Sequence, residues 1–313
     1  MKEREYDPGV VDKIQFRKCR FPTLKRNFFE MFYNLQTFSI SSVELETLQV
    51  NMFREAKNLT ALDISKNSLK EIPSHIFIDA VKLQDVDFSN NYIIRIDPLA
   101  FEGAIQLQKL DLSFNQITDL DSRTFNLPNL LMLDLSNNNI TKYNENIFEK
   151  LTNLTTLNLS FNTLEHLHIG TFAGLFKLKE LSLRHTNLSD IQSGTFFDQN
   201  FLLSLDLSEN NIKRIDFKSF ASILLLNLQS LRLGGNQLTD LSGFHKALFP
   251  QMELLDIQGN PFNCSYLLHF MESDSHWKTI QFHSKASETS DVHKTYIQGV
   301  KCDLTPDGKT IHK

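Results

Sequence analysis

The chain has 313 residues, 41% apolar and 22% charged, with only 11 Gly and 8 Pro. That composition excludes collagen-like, low-complexity and disordered chains, and no run of about 18 apolar residues predicts a membrane-spanning helix. The net charge of −5 argues against a general nucleic-acid binder, and three cysteines are too few for a disulfide framework or a structural zinc site, though one bridge remains possible. Phenylalanine is over-represented, with 26 Phe against 6 Tyr and 1 Trp, which implies that one structural position is being refilled.

Residues 1–10 form a polar N-terminal extension whose start, Met1-Lys2-Glu3-Arg4-Glu5-Tyr6, is not a secretory leader. The chain therefore reads either as intracellular or as the mature segment of an exported protein. From residue 11 to residue 262 one pattern recurs. Leu59-Thr60-Ala61-Leu62-Asp63-Ile64-Ser65-Lys66-Asn67-Ser68-Leu69 spells LxxLxLxxNxL, and the pattern returns from Leu83, Leu107, Leu130, Leu154, Leu178, Leu202, Leu228 and Met252, with looser copies from Val11 and Leu35. Successive starts lie 24 residues apart except for one step of 23, Leu107 to Leu130, and one of 26, Leu202 to Leu228. The first coil carries a local excess of Lys and Arg, so a polar, exposed end is predicted there.

Within each copy the first, fourth and sixth residues point inward from a short strand, and the eleventh and fourteenth join the same core. The ninth is Asn67, Asn91, Asn115, Asn138, Asn162, Asn210, Asn236 or Asn260. A buried amide there is predicted to bond backbone groups of its own and the next coil where the chain leaves the strand. Thr186 and Cys19 stand in this column, Cys19 as a buried ladder residue, and Val43 breaks it. The nineteenth residue is Phe29, Phe53, Phe77, Phe101, Phe125, Phe148, Phe172, Phe196 and Phe220, a predicted aromatic spine on the side away from the strands.

These periods predict an α/β solenoid, a curved horseshoe with a parallel sheet on the concave face and loops or 3₁₀ turns on the convex face. Residues 263–303 read as a C-terminal cap. It has a helix with Leu267, Leu268, Phe270 and Met271 on its apolar face, a return through Tyr296-Ile297-Gln298-Gly299-Val300, and a disulfide between Cys264 and Cys302. Residues 304–313 are a polar tail.

No HExxH, GxSxG, phosphate-binding glycine loop or metal-spaced Cys/His cluster is present, so neither catalysis nor a cofactor is expected. His166 and His168 flank Leu167 without a third ligand, and His269, His276, His283 and His293 are scattered through the cap. The fifth residue of each copy points out of the sheet: Gln15, Ser39, Asp63, Asp87, Asp111, Asp134, Asn158, Ser182, Asp206, Arg232 and Asp256. This acidic stripe either keeps the sheet soluble or steers a basic partner. At the strand's exit stand Lys66, Phe114, Phe161, Arg184, His185 and Glu209, among which the two phenylalanines are candidate contact anchors. The two extra residues before Leu228 predict an apolar bulge near Leu224-Leu225-Leu226 on the loop side. Six glycosylation sequons start at Asn58, Asn139, Asn153, Asn158, Asn187 and Asn263. Asn158 falls in the middle of the concave face, where a glycan would block binding, so the candidate sites are the other five.

The LxxLxLxxNxL copies over residues 11–262 are identified as a member of the leucine-rich repeat family, and the 24-residue period with its Phe column resembles the family's extracellular type. Asp12-Lys13-Ile14-Gln15-Phe16 with Phe21-Pro22-Thr23-Leu24 is similar to uncapped first coils of insect members. Gly259-Asn260-Pro261-Phe262-Asn263-Cys264-Ser265-Tyr266-Leu267 resembles the exit of mosquito leucine-rich immune proteins, and Toll-like receptor ectodomains are a less close match. The resemblance implies a secreted, glycosylated, non-catalytic binding scaffold of innate immunity. It also implies a protein partner, either a complement-like protein or a second leucine-rich repeat chain. The cysteine pair and coiled coil that make those chains dimeric do not follow Cys302. A Toll-like membrane receptor ectodomain and a structural adhesion or matrix protein are the alternative readings.

Overall fold

The computed structural model describes residues 7–16, 19–20, 27–143, 146–164, 166–217, 225–273, 295–297 and 300–303. They fall into two compact units, residues 1–158 with 172–175, and residues 159–171 with 176–313. In the first unit the strands are β1 (Lys13–Gln15), β2 (Thr37–Ser39), β3 (Ala61–Asp63), β4 (Glu71–Ile72), β5 (Asp85–Asp87), β6 (Arg95–Ile96), β7 (Lys109–Asp111), β8 (Asp119–Leu120), β9 (Met132–Asp134), β10 (Lys142–Tyr143) and β11 (Thr156–Asn158). One parallel sheet runs β1-β2-β3-β5-β7-β9-β11, pairing residues 24 apart at every step but Lys109↔Met132. The missing residue of that 23-residue coil is therefore absorbed on the loop side, and the sheet keeps its register.

Strands β3, β5, β7 and β9 bury their middle residues (Leu62, Val86, Leu110, Leu133) and turn their flanks outward, as a two-residue period demands, whereas β2 also buries Ser39. The first, sixth and eleventh places (Leu59, Ile64, Leu69 in one coil) are buried too. The loop side consists largely of turns, with two parallel ladders, β4–β6 and β8–β10, that the repeat pattern did not predict. Inside, Phe53 stacks on Phe77 at 5.6 Å and Phe77 on Phe101 at 6.1 Å, while Phe148 stacks on Phe125 at 6.1 Å and on Phe172 at 6.5 Å.

The ninth-place amide makes the turn possible. Asn67 Nδ2 donates to the carbonyls of Ile40, Ile64 and Ser65 at 2.8–3.1 Å, and its Oδ1 accepts from the Val43 and Leu45 N–H groups at 3.0 and 3.1 Å. Asn91, Asn115 and Asn138 repeat the scheme, each donating both to its own coil and to the preceding one. The bridged coil is thus the preceding one, not the next. That direction also corrects the reading of Cys19. Among the described residues no coil precedes that of Cys19, so no ladder is joined there, and Cys19, expected to be buried, is an exposed free thiol.

The first coil is not closed by polar groups alone, as its charge predicted. Around the short helix α1 (Phe28–Met31), the Phe28 ring lies 4.9–5.3 Å from those of Phe29, Phe32 and Phe38, and Phe16 meets Phe38 edge-on at 6.2 Å. An aromatic cluster covers the end of the core there.

The second unit holds β12 (Glu180–Ser182), β13 (Ser204–Asp206), β14 (Ser230–Arg232) and β15 (Leu254–Asp256), parallel and in sequence order. Ser204 pairs with Ser230, so the two extra residues leave this register intact as well. Of the expected bulge, Leu224 lies outside the described residues, as does Phe220; Leu225 is buried and Leu226 is 45% exposed. Asn210, Asn236 and Asn260 continue the ladder, and Thr186 takes part through its hydroxyl, which donates to the Leu183 carbonyl at 2.7 Å. Phe217, Phe244 and Phe249 carry the aromatic core onward at 4.9 and 5.1 Å.

The cap helix α2 (Cys264–Glu272) starts at Asn263, whose side chain accepts from the Ser265 and Tyr266 N–H groups. It buries Leu267, Phe270 and Met271, with Leu268 only partly covered. Cys264 and Cys302 form a disulfide, and β16 (Thr295–Ile297) pairs antiparallel with β17 (Val300–Cys302). The Tyr266 hydroxyl accepts from the Leu241 N–H, and burial raises its pKa above the ordinary value. His276, His283 and His293 lie outside the described residues.

If the amide ladder closes the turns, Asn115→Leu strands the Ile93 N–H and takes one of two amide donors from each of the Phe88 and Leu112 carbonyls, without filling or emptying the core. It is expected to destabilise the chain by at least about 2 kcal/mol in denaturant titration. Hydrogen exchange at the Ile93 amide should rise ahead of that in the β2 and β3 strands.

Candidate binding surface

In the first unit, Asp63, Asp87, Asp111 and Asp134 sit at the ends of β3, β5, β7 and β9, neighbours across parallel strands about 4.8 Å apart. They line a shallow groove of about 460 Å³ together with Thr37, Ala61, Lys109, Met132, Thr156 and Asn158. The carboxylates are only half exposed, because each turns back on its own chain. Oδ1 accepts from the N–H two residues on, at Ser65, Ser89, Ser113 and Ser136, at 2.8–3.0 Å. Ser39 Oγ donates to Asp63 Oδ2 at 2.9 Å, and Asn158 Nδ2 to Asp134 Oδ2 at 3.0 Å. The stripe is therefore first a row of Asx turns that start the exit from each strand. The recurring Asp-x-Ser is the sequence signal for that role, and a reading by charge alone passes over it.

Burial raises the Asp111 pKa above the ordinary carboxylate value, and the like charges of Asp87 and Asp134 add to this while the Ser113 hydrogen bonds oppose it. Asp206, in the second unit, makes the same turn, accepting from the Ser208 N–H and hydroxyl. There the stripe is interrupted: the register places Arg232 between Asp206 and Asp256.

Three residues beyond the stripe, at the eighth place, the backbone is left-handed in every described coil. Ser42, Lys66, Asn90, Phe114, Asn137, Phe161, His185 and Glu209 have φ between 54° and 58°, and Gly235 and Gly259 have φ of 67° and 69°. Glycine and asparagine accept this conformation readily, whereas a bulky side chain is strained by about 1–2 kcal/mol. Phe114 is nevertheless 54% exposed and Phe161 41% exposed. The Phe161 ring lies 5.2 Å from that of His185, with the Arg184 guanidinium 5.7 Å from its centre. The periodicity locates these residues; it holds no trace of the backbone strain that sets them apart.

His166 and His168 are exposed on either side of buried Leu167. Among the described residues no group of three or more His, Cys, Asp or Glu is placed to hold a metal ion, and no helix is long and apolar enough to cross a membrane.

The leucine rich repeat family signature matches residues 33–93, 57–117, 105–164, 152–212 and 176–228. No curated protein sequence matches the chain. Among solved structures, that of the TLR13–ssRNA13 complex superposes with a TM-score of 0.67 at 29% identity, over 74% of this chain and 37% of that one. The Drosophila Toll–Spatzle complex gives 0.65 at 21% identity, over 86% and 42%, so this chain spans about two fifths of the length of either. The leucine-rich repeat domain of APL1B gives 0.65 at 18% identity, over 96% of this chain and 91% of that one.

Two substitutions separate backbone duty from surface duty. Asp111→Asn keeps the Oδ1 acceptor and removes the charge. Because the folded-state pKa of Asp111 is raised, its ionisation opposes folding above that pKa. The variant should therefore be more stable at neutral pH, by less than about 1 kcal/mol, the range for water-screened charges. The gain should vanish as pH falls below the ordinary Asp value. Bacterially made, unglycosylated protein is needed, since the change creates a glycosylation sequon with Leu112 and Ser113. Phe114→Asn should raise stability by about 1 kcal/mol through relief of the left-handed strain, read as a higher denaturation midpoint.

Proposed function

The chain belongs to the leucine-rich repeat family, and we propose that it is an extracellular, non-catalytic scaffold of innate immunity that binds another protein on its sheet face. Residues 11–262 supply the scaffold and residues 263–303 its cap. The observation that carries the proposal is Phe114: a large aromatic held exposed in a backbone conformation it disfavours, beside a half-buried acidic groove. A side chain that lowers stability where asparagine or glycine would not is what selection for contact leaves behind.

The chemistry of the groove defines the partner. Asp63, Asp87, Asp111 and Asp134 favour a segment carrying Lys or Arg around an apolar residue that packs on Phe114. The same carboxylates repel phosphate, so the nucleic-acid partner named for TLR13 does not carry over. By itself, the second unit presents Asp206 and Arg232 as a mixed-charge pair, and Arg184 and His185 flank Phe161. A complement-like protein and a second leucine-rich repeat chain are the partner classes that the resemblance supplies. A Toll-like receptor ectodomain is the second reading, favoured by the 29% identity with TLR13.

The test starts from extracellular fluid of the source, with partner captured on the immobilised chain and its affinity then measured with purified components. Phe114→Asn is expected to weaken binding by about 30-fold while the variant is no less stable, and wild-type affinity should fall as salt rises. Unchanged affinity in the variant would remove Phe114 and the groove from the interface, and a failure to capture any protein would sink the scaffold reading itself.

A further inference from the structure

The six sequons differ in what their amide nitrogens do. Asn58 Nδ2 donates to the Tyr33 carbonyl at 2.9 Å, Asn153 Nδ2 to the Pro128 carbonyl at 2.7 Å, and Asn158 Nδ2 to Asp134. Asn263 is half-buried and caps α2. Asn139 and Asn187, both at the tenth place of their coils, are exposed. At Asn187 the surroundings are also built. Asn211 Nδ2 donates to Asn187 Oδ1 at 2.5 Å, which fixes the amide plane and leaves its nitrogen as the free end. A depression of about 600 Å³ lies beside it, lined by Phe161, Thr163, His185, Glu209 and Asn211. His185 stands two residues before Asn187, its ring 5.2 Å from that of Phe161. Both aromatic residues are held left-handed and exposed, so the core does not account for either.

We propose that Asn187 carries an N-linked glycan whose first sugar packs on the Phe161–His185 pair. The C–H face of a pyranose is apolar and matches an aromatic face in size, and the polar rim of Asn211, Thr163 and Glu209 can serve its hydroxyls and acetamide. The attachment draws on a lipid-linked oligosaccharide activated as a pyrophosphate. The sugar C1–O bond breaks, C1 bonds to Nδ2, Nδ2 gives up one hydrogen as a proton, and the lipid pyrophosphate leaves with the bonding pair. The inference rests on the extracellular reading, since only an exported chain meets that donor. On this assignment Phe161 and His185 face a sugar, and partner contact centres on the groove of the first unit.

Peptide mapping of the protein from its native source, before and after complete enzymatic deglycosylation, reads the occupancy. Asn187 is expected to be modified and Asn158 bare. A bare Asn187 in a chain modified elsewhere overturns this inference alone, whereas a chain bare at every sequon overturns the extracellular reading along with it. The packing is read on secreted wild type and on Phe161→Gly/His185→Gly, in which glycine suits the left-handed backbone. Each is compared when trimmed to a single sugar and when stripped of it. Removing the last sugar should lower the wild-type melting midpoint by about 2 °C, the scale of one aromatic stacking contact, and leave that of the double variant unmoved. Equal shifts in the two proteins would show an attached sugar that does not pack there.

Discussion

The turn off most of the strands depends on one buried amide. A chain that leaves a parallel strand at right angles strands N–H and C=O groups in a place that water does not reach, and each orphan is destabilising. Asparagine at the ninth place supplies an acceptor and two donors on a short stem, enough to bind its own turn and reach back 21 to 29 residues to the preceding coil. The reach is directional, and the direction has consequences at the start of the chain. Among the described residues no coil lies behind the first, and there the core is covered by the rings of Phe16, Phe28, Phe32 and Phe38.

The amide is one part of a three-part turn. The fifth-place carboxylate takes the N–H of the seventh residue, the eighth residue goes left-handed, and the ninth buries its side chain. These duties divide the surface into two kinds of position. The fifth place is tied to the backbone, so an acidic face follows from the turn chemistry before any partner is considered. Its charges can still act on a partner, but their presence is weak evidence of one. At the eighth place the backbone N–H donates to the next coil, as from Phe114 to the Ser136 carbonyl, while the side chain is left out of the turn. What stands there is free to vary at a price in strain that grows with the side chain's bulk.

This division explains how far the sequence can be read. The eleven starts, the core positions, the ladder, the phenylalanine column and the cap helix all follow from spacing, because each repeats at one period and each is apolar or amide-bearing. The positions of Asp63, Asp87, Asp111 and Asp134 are legible in the same way, but their role is not: a carboxylate that caps an N–H and one that waits for a ligand look alike in sequence. Cys19 escapes the pattern because its column extends into a coil that no described coil precedes. The ladders of Glu71–Ile72 with Arg95–Ile96 and of Asp119–Leu120 with Lys142–Tyr143 are hidden because two-residue strands on the loop side leave no alternation long enough to detect. The left-handed eighth place is a dihedral angle, and no residue count contains it.

Once the angle is known, the column can be read as a series of departures from an easy default. Asn90, Asn137, Gly235 and Gly259 are what the backbone prefers. At Gly235 a Cβ would come within 2.8 Å of the Glu209 carboxyl carbon, which is the flexible end of that side chain, so φ is the constraint that favours glycine there. Lys66 and Glu209 depart from the default at little cost in apolar exposure, since a charged tip belongs in water. Phe114 and Phe161 depart on both counts, strained in the backbone and wetted at the ring. A scaffold that needed only to fold would have placed asparagine at both, so these two positions are where the surface carries a demand that the solenoid does not make.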